Sequence, residues 1–227
     1  MNQPLRTRVR EPELMDAEDQ VQAYANADFS SSDQALVEWW ARLLPEGLGQ
    51  QALDLGCGPG NISVLLVQRW PDLNVTGLDG APRMLAVARQ RQGLLPSAQA
   101  ERLSWHCGTL PAHGLRNRFT ALVSNSLLHH LHDPQTLWTC LPLLGSPGAK
   151  VLIHDLRRPT DEAHLQALIE RYASDAPPVL KRDYEASLRA AFTTEEVEEQ
   201  LAEAGLSELK VSERDDRYLA VVGQLPT

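Results

Sequence analysis

The chain predicts an α/β fold, a mostly parallel sheet with helices on both faces and an antiparallel hairpin at its end. Three observations carry that expectation. Strand-like apolar runs alternate with stretches of helical period through most of the 227 residues, the pattern that builds a parallel sheet covered on both sides. The first such run, Ala52-Leu53-Asp54-Leu55, passes directly into three alternating glycines, Gly56, Gly58 and Gly60. Near the end, Glu208 to Arg214 and Arg217 to Gly223 read as two strands joined at Asp215-Asp216, a hairpin.

The elements follow in order. A helix is expected from Asp16 to Ala27, and another through Leu44, whose caps are offered by Ser30 to Asp33. In that second helix Leu36, Val37, Trp40, Leu43 and Leu44 fall at helical spacing. Parallel strands are expected near 51–56, 73–79, 102–106, 119–124 and 149–154, with helices near 60–70, 82–92 and 134–143. Helical stretches near 160–173 and 181–191 flank Pro177-Pro178, which cannot continue a helix. Thr193-Thr194-Glu195-Glu196 has the form of a capping box opening a helix that ends near Gly205. With 43% hydrophobic residues, the length suits one large core. We therefore expect a single domain, residues 1–227, made of N-terminal helices (1–45), a binding core (51–155), an insertion (156–191) and a final helix with its hairpin (192–227).

Composition narrows the function. A net charge of −9 and a sequence pI near 5.2 lack the basic footprint of a phosphate-backbone binder, so nucleic acid is not an expected partner. Cys57, Cys107 and Cys140 are odd in number and show no CxxC spacing, which suggests a reducing compartment and no zinc site. Arg6, Arg8 and Arg10 precede no apolar run and read as solvated, not as a signal peptide. No stretch approaches the roughly 18–20 apolar residues of a membrane span. A cytoplasmic protein is the expectation.

The glycine loop marks a nucleoside-type ligand, because glycines allow positive φ and close backbone approach where a helix presents unpaired N–H groups. The dinucleotide fingerprint GxGxxG is not met, since Asn61 stands at its third glycine. A P-loop is excluded too: no Lys or Arg occurs between Leu53 and Ser63. A ligand without phosphates fits better.

Residues 52–61 resemble motif I of the class I S-adenosylmethionine-dependent methyltransferases. Val75-Thr76-Gly77-Leu78-Asp79-Gly80-Ala81 resembles the family's second strand, with Asp79 nineteen residues past Gly60, where a carboxylate accepts ribose hydroxyls. Ala121 to Leu131, with Asp133-Pro134 behind it, is similar to motif IV of small-molecule methyltransferases. Lys150 to Arg157, after Pro147-Gly148, resembles the fifth strand. The likeness spans about Leu36 to Gly223. It implies a Rossmann-like sheet of seven strands, one of them antiparallel, S-adenosyl-L-methionine as cofactor and a small-molecule methyl acceptor. The implied cofactor contacts are Tyr24, Asp54, Gly56, Gly58, Gly60, Asp79, Gly80, Met84, Gly108, Thr109, Leu110 and Asn125. One departure stands out. Thr109 occupies the place of the Asp that commonly meets the adenine amino group, and it brings a hydroxyl but no charge. The insertion, with the N-terminal helix, is implied to fold over the site as a substrate lid.

An activated methyl group needs an aligned nucleophile, and a general base only where the accepting atom carries a proton. The bases expected near the strand ends are His129, His130, His154 and Asp155. The histidines can equally cap a strand end, and Asp155 can equally pair with Arg157 or Arg158. His129, His130, His132 and Asp133 look like a metal cluster, but consecutive residues on one turn point apart, so no metal is expected. Arg157, Arg171, Tyr172, Arg182 and Tyr184 are the candidate acceptor contacts, against the alternative of solvated surface charge. Asp54 and Asp79 have no evident partner in the sequence other than a ligand. Two rival functions remain: a non-catalytic cofactor-binding partner or regulatory protein, and an NAD(P)-dependent oxidoreductase.

Overall fold

A computed structural model describes residue 5 and residues 7–112, 114–115 and 119–227. Arg6, one of the three tail arginines, lies outside the described residues. The strands are β1 (Gln51–Leu55), β2 (Asn74–Asp79), β3 (Leu103–Cys107), β4 (Phe119–Asn125), β5 (Gly145–Leu156), β6 (Lys210–Glu213) and β7 (Tyr218–Gln224). They form one seven-stranded sheet in the order β3-β2-β1-β4-β5-β7-β6. Every neighbouring pair from β3 to β5 is parallel, and β7 runs antiparallel to both β5 and β6.

The helices are α1 (Glu18–Asn26), α2 (Ser30–Leu43), α3 (Asn61–Arg69), α4 (Pro82–Gln92), α5 (Ser97–Ala100), α6 (Gln135–Leu144), α7 (Glu162–Ala173), α8 (Pro178–Ala190) and α9 (Thr194–Glu203). Two apolar layers sandwich the sheet. One packs α2 and α3 on it through Trp40, Leu66 and Val67; the other packs α6 and α9 through Trp138, Leu141 and Leu201. β1, β4 and β5 are buried on both faces, as the apolar runs of a parallel sheet require. No helix among the described residues is long and apolar enough to cross a membrane.

Several boundaries differ from expectation. β5 begins at Gly145 rather than 149, because the stretch through Pro147-Gly148 bulges against β4: the register shifts between Phe119↔Gly145 and Ala121↔Lys150. α8 starts at Pro178 itself, the first-turn position where a missing N–H costs nothing. α2 gains no side-chain cap from Ser30 to Asp33; its first turn begins at Ser30, whose N–H donates to Asp28 Oδ1 at 3.0 Å. The short α5 and a 3-10 turn at Leu128–His130 were not expected.

The chain winds outward from β1 to β3 and then from β4 to β5 on the other side. The switch point therefore lies between β1 and β4, where a crevice opens at the carboxyl ends of the strands.

Candidate functional site

That crevice is a cleft of about 460 Å³. Its floor is the loop after β1. Gly56, Gly58 and Gly60 all hold positive φ, and their surroundings differ. A Cβ on Gly56 would lie 2.8 Å from the Leu127 side chain and one on Gly60 2.7 Å from Trp105, whereas nothing lies within 4 Å of the same position on Gly58. Gly56 and Gly60 are thus glycines for packing. Gly58 turns its bare face into the cleft, a cradle open to a ligand.

Carboxylates brace the loop. Asp79, at the end of β2, accepts from the N–H groups of Gly58 and Ala81, both at 2.7 Å. Asp54 is buried in β1 and accepts from Ser63 Oγ at 2.6 Å. Asp54 therefore has a partner that the sequence did not reveal. Burial pushes its carboxyl up to about 7, against the pull of that hydrogen bond. Arg91 of α4 fastens the loop from outside, donating to Pro59 O at 3.1 Å, to Asn61 Oδ1 and to Ala25 O at 2.8 Å.

Tyr24, Asp54, Gly56, Gly58, Asp79, Gly80, Met84, Gly108, Thr109, Leu110 and Asn125 line the cleft; Gly60 is set behind it. Tyr24 stacks on Phe29 at 4.8 Å, and burial pushes its phenol up to about 12. Gly80 is tight for another reason: a Cβ there would meet Leu14 at 2.6 Å. Leu14 belongs to an N-terminal segment whose residues Glu13, Leu14 and Met15 also line the cleft.

The motif after β4 builds a buried ionic chain. Asp155 Oδ2 accepts from the Leu128 N–H at 2.6 Å, and Oδ1 lies 2.5 Å from His129 Nδ1. On its far side His129 Nε2 is 3.5 Å from Glu11 Oε1, and His130 Nδ1 is 3.4 Å from the same oxygen. Burial disfavours the His129 charge, yet Asp155 and Glu11 outweigh it and hold the imidazole above its ordinary value. His130 has no such pair of carboxylates. Burial and the adjacent His129 push it down to about 3.

Asp155 therefore pairs with His129, not with Arg157 or Arg158, which bind Glu213 and Glu196. The two histidines do not point apart: their ring centroids are 4.3 Å apart at 35°, and with Glu11 they bring three potential ligand atoms within 4.8 Å of one another. The spacing alone permits a metal triad, and Glu11 Oε1 is buried with no hydrogen-bond partner among the described residues; a charged His129 would lie between two carboxylates. His154 does not face the cleft. It contacts Asn125 Oδ1 through Nδ1 at 2.8 Å, lies 4.2 Å from the Tyr218 ring, and orients Asn125.

The proposed acceptor contacts divide. Tyr172 and Tyr184 line the cleft. Arg157, Arg171 and Arg182 do not; they pair with Glu213, Asp216 and Asp183 at 3.0, 2.6 and 2.8 Å. Arg217 is present instead, at the start of the β7 arm of the hairpin, and was not singled out from the sequence. Neither was Glu11, which no motif marks. Arg8 is not a solvated tail residue: its guanidinium donates to the carbonyls of His129, Leu131 and Ala190.

Comparison with known proteins finds methyltransferases. Residues 52–144 match a family model described as a methyltransferase domain. A trans-aconitate 2-methyltransferase of Methylobacterium radiotolerans is 37% identical over 112 residues, 48% of this chain and 40% of that protein. Its Streptomyces coelicolor counterpart is 52% identical over 58 residues, 23% of this chain and 19% of that protein. The matches thus span less than half the length of these relatives. Among solved structures, the plantazolicin methyltransferase BpumL, in complex with a triazolic desmethylPZN analog and S-adenosylhomocysteine, superposes with a TM-score of 0.69 at 13% identity over 92% of each chain. A Haemonchus contortus phosphoethanolamine N-methyltransferase gives 0.67 at 18% identity, covering 92% of this chain and 57% of that one. At such identities the likeness is one of fold.

Proposed function

We propose that this chain, whose residues 52–144 match a methyltransferase domain and whose fold is shared with solved methyltransferases, binds S-adenosylmethionine and transfers the methyl group to a small-molecule acceptor. The observation that carries this reading is the loop after β1, where Gly58 leaves its Cβ space open to the cleft while Asp79 holds its N–H. When bound, the cofactor supplies a methyl group already activated by its sulfonium. Gly58, Asp54 and Asp79 would hold it from below, and Tyr24, Met84, Thr109 and Leu110 would enclose it. The Thr109 hydroxyl stands for the missing acidic adenine contact.

The chain's own work is then binding, alignment and exclusion of water. α7, α8 and the N-terminal segment wall the cleft above the sheet, through Tyr172, Tyr184, Ser187 and Leu14. Against its burial, Asp155 and Glu11 favour the charged form of His129, and burial pushes His130 down to about 3, neutral across the working range. That arrangement fixes charge and orientation beside the acceptor and leaves no strong base poised for proton abstraction. It suits an acceptor atom that arrives with its lone pair free. Three free cysteines and an acidic chain support a cytoplasmic enzyme without a nucleic-acid partner.

Calorimetric titration with S-adenosylmethionine and S-adenosylhomocysteine, with NAD and NADP as controls, tests the reading. We expect micromolar binding of the sulfur compounds alone, and preference for a dinucleotide overturns it. Tight binding without transfer to any acceptor in a broad screen would favour the regulatory alternative.

A further inference from the structure

The charge distribution in the cleft is one-sided. Glu13, Asp33, Asp54, Asp79 and Asp183 line it, while Arg217 is the one lysine or arginine among the described lining residues. Arg217 lies at the start of β7, beside the end of β5, where Tyr218 pairs with Leu156. In the sheet order β7 is three strand spacings from β1, so Arg217 lies roughly 14 Å across the edge from the glycine loop at about 4.8 Å per step. The nucleoside end of the cleft is at β1, β2 and β3. Arg217 is at the opposite end, where the acceptor sits on the reading above.

Its surroundings hold it in place without neutralising it. The guanidinium lies 3.7 Å from the Tyr172 ring centroid, 4.8 Å from that of Tyr218 and 6.0 Å from that of Tyr184. Aromatic faces stabilise a cation while leaving its in-plane N–H donors free. The nearby carboxylates are engaged elsewhere. Asp216 takes Arg171 and the Tyr172 hydroxyl, and Asp215 Oδ1 takes the backbone N–H groups of Arg217 and Tyr218. No carboxylate among the described residues lies in ion-pair range of the Arg217 guanidinium. The Tyr184 hydroxyl is buried, and no acceptor among the described residues takes its proton. Against the upward push of burial, the Arg217 guanidinium favours the phenol oxygen, but it cannot accept the hydroxyl proton, an arrangement that is costly unless a ligand completes it.

We propose that Arg217 and the Tyr184 hydroxyl form an anion subsite that receives a carboxylate of the acceptor, and that the acceptor is a monocarboxylic acid with an apolar body. This rests on the methyltransferase reading and names its substrate class. Arg217 is the one guanidinium among the described lining residues, and His129, the other lining group whose positive charge is favoured, is already flanked by Asp155 and Glu11, so a second or third carboxylate would face Asp183 and Glu13 with no free counter-charge. The trans-aconitate named for the relatives carries three carboxylates, and the test sets it against monocarboxylates. The apolar body fits Leu156, Leu180 and the three tyrosine rings.

The test uses the full chain saturated with S-adenosylhomocysteine and titrated with phenylacetate, cinnamate and 4-phenylbutyrate, each beside its primary amide, and with trans-aconitate and inorganic phosphate. At least one acid should bind five-fold or more tighter than its amide and tighter than trans-aconitate. Arg217→Met should erase that preference while S-adenosylhomocysteine affinity stays within two-fold, and Arg217→Lys should restore part of it. Tyr184→Phe deletes only the hydroxyl. It should weaken the acid several-fold, leave the amide unchanged and leave thermal stability intact, an outcome that packing alone does not produce. Equal binding of acids and amides, a preference that survives Arg217→Met, tightest binding of trans-aconitate, or Arg217-dependent binding of phosphate alone would each overturn the proposal. Failure of S-adenosylhomocysteine to bind the unaltered chain sinks the methyltransferase reading instead.

Discussion

Gly58 and Asp54 show how single residues divide the labour of the loop. Gly58 holds φ at +51° with open space where a Cβ would stand, so Gly58→Ala pays about 1–2 kcal/mol for the left-handed conformation and places a methyl group in the ligand's path. Cofactor affinity should fall at least ten-fold while the folded chain persists, measured by calorimetry beside a denaturant titration; equal losses in both would make the glycine merely conformational. Asp54, with its carboxyl near 7, predicts a pH effect. A cationic ligand favours the ionised form, so binding below neutrality expels a proton. Apparent affinity for S-adenosylmethionine should rise about ten-fold between pH 6 and 8, and Asp54→Asn should flatten the profile. These two residues were legible because the strand-glycine signature is local in sequence. Arg217, Glu11 and Arg91 were not: each reaches the site from a distant stretch, and an isolated Arg or Glu has no signature until the fold brings it in.

Among elements, α9 is the one whose boundary chemistry the sequence stated most completely. Thr193 accepts from the Glu196 N–H at 3.3 Å and Glu196 Oε2 accepts from the Thr193 N–H at 3.0 Å, a full capping box. The same Glu196 takes the buried Arg158. Thr193→Ala should therefore cost about 1 kcal/mol, read as a lower denaturant midpoint with unchanged slope, and should leave cofactor affinity untouched because no residue of α9 lines the cleft. The misplaced boundaries have a common physical cause. Pro177-Pro178 reads as a breaker from the preceding side and as a first-turn residue from the following side, and only packing decides which. The early start of β5 depends likewise on a bulge against β4 that no local pattern announces.

In the whole molecule, the parallel sheet covered on both faces was readable because strand and helix periods alternate, whereas the strand order, and with it the switch point, appears only in the fold. What sequence could not supply was the path of the first residues across the finished sheet. Arg8 joins the histidine turn to the end of α8, the Val9 N–H donates to Arg189 O at 2.9 Å, and Glu13 accepts from the His132 N–H at 2.7 Å. Residues 7–16 thereby span the cleft from the α8 side to α4, where Asp16 meets Arg83 at 2.9 Å. That crossing turns the exposed Arg10 into a clock. Trypsin cuts an extended backbone only after it lifts away, and any occupant touching Leu14 and Met15 must hold it down. Cleavage after Arg10 should slow in proportion to ligand excess, about 100-fold at a hundred times Kd if the occupied form never lifts, so that a protease and a gel report occupancy of the cleft even for an acceptor whose chemistry is still unassigned.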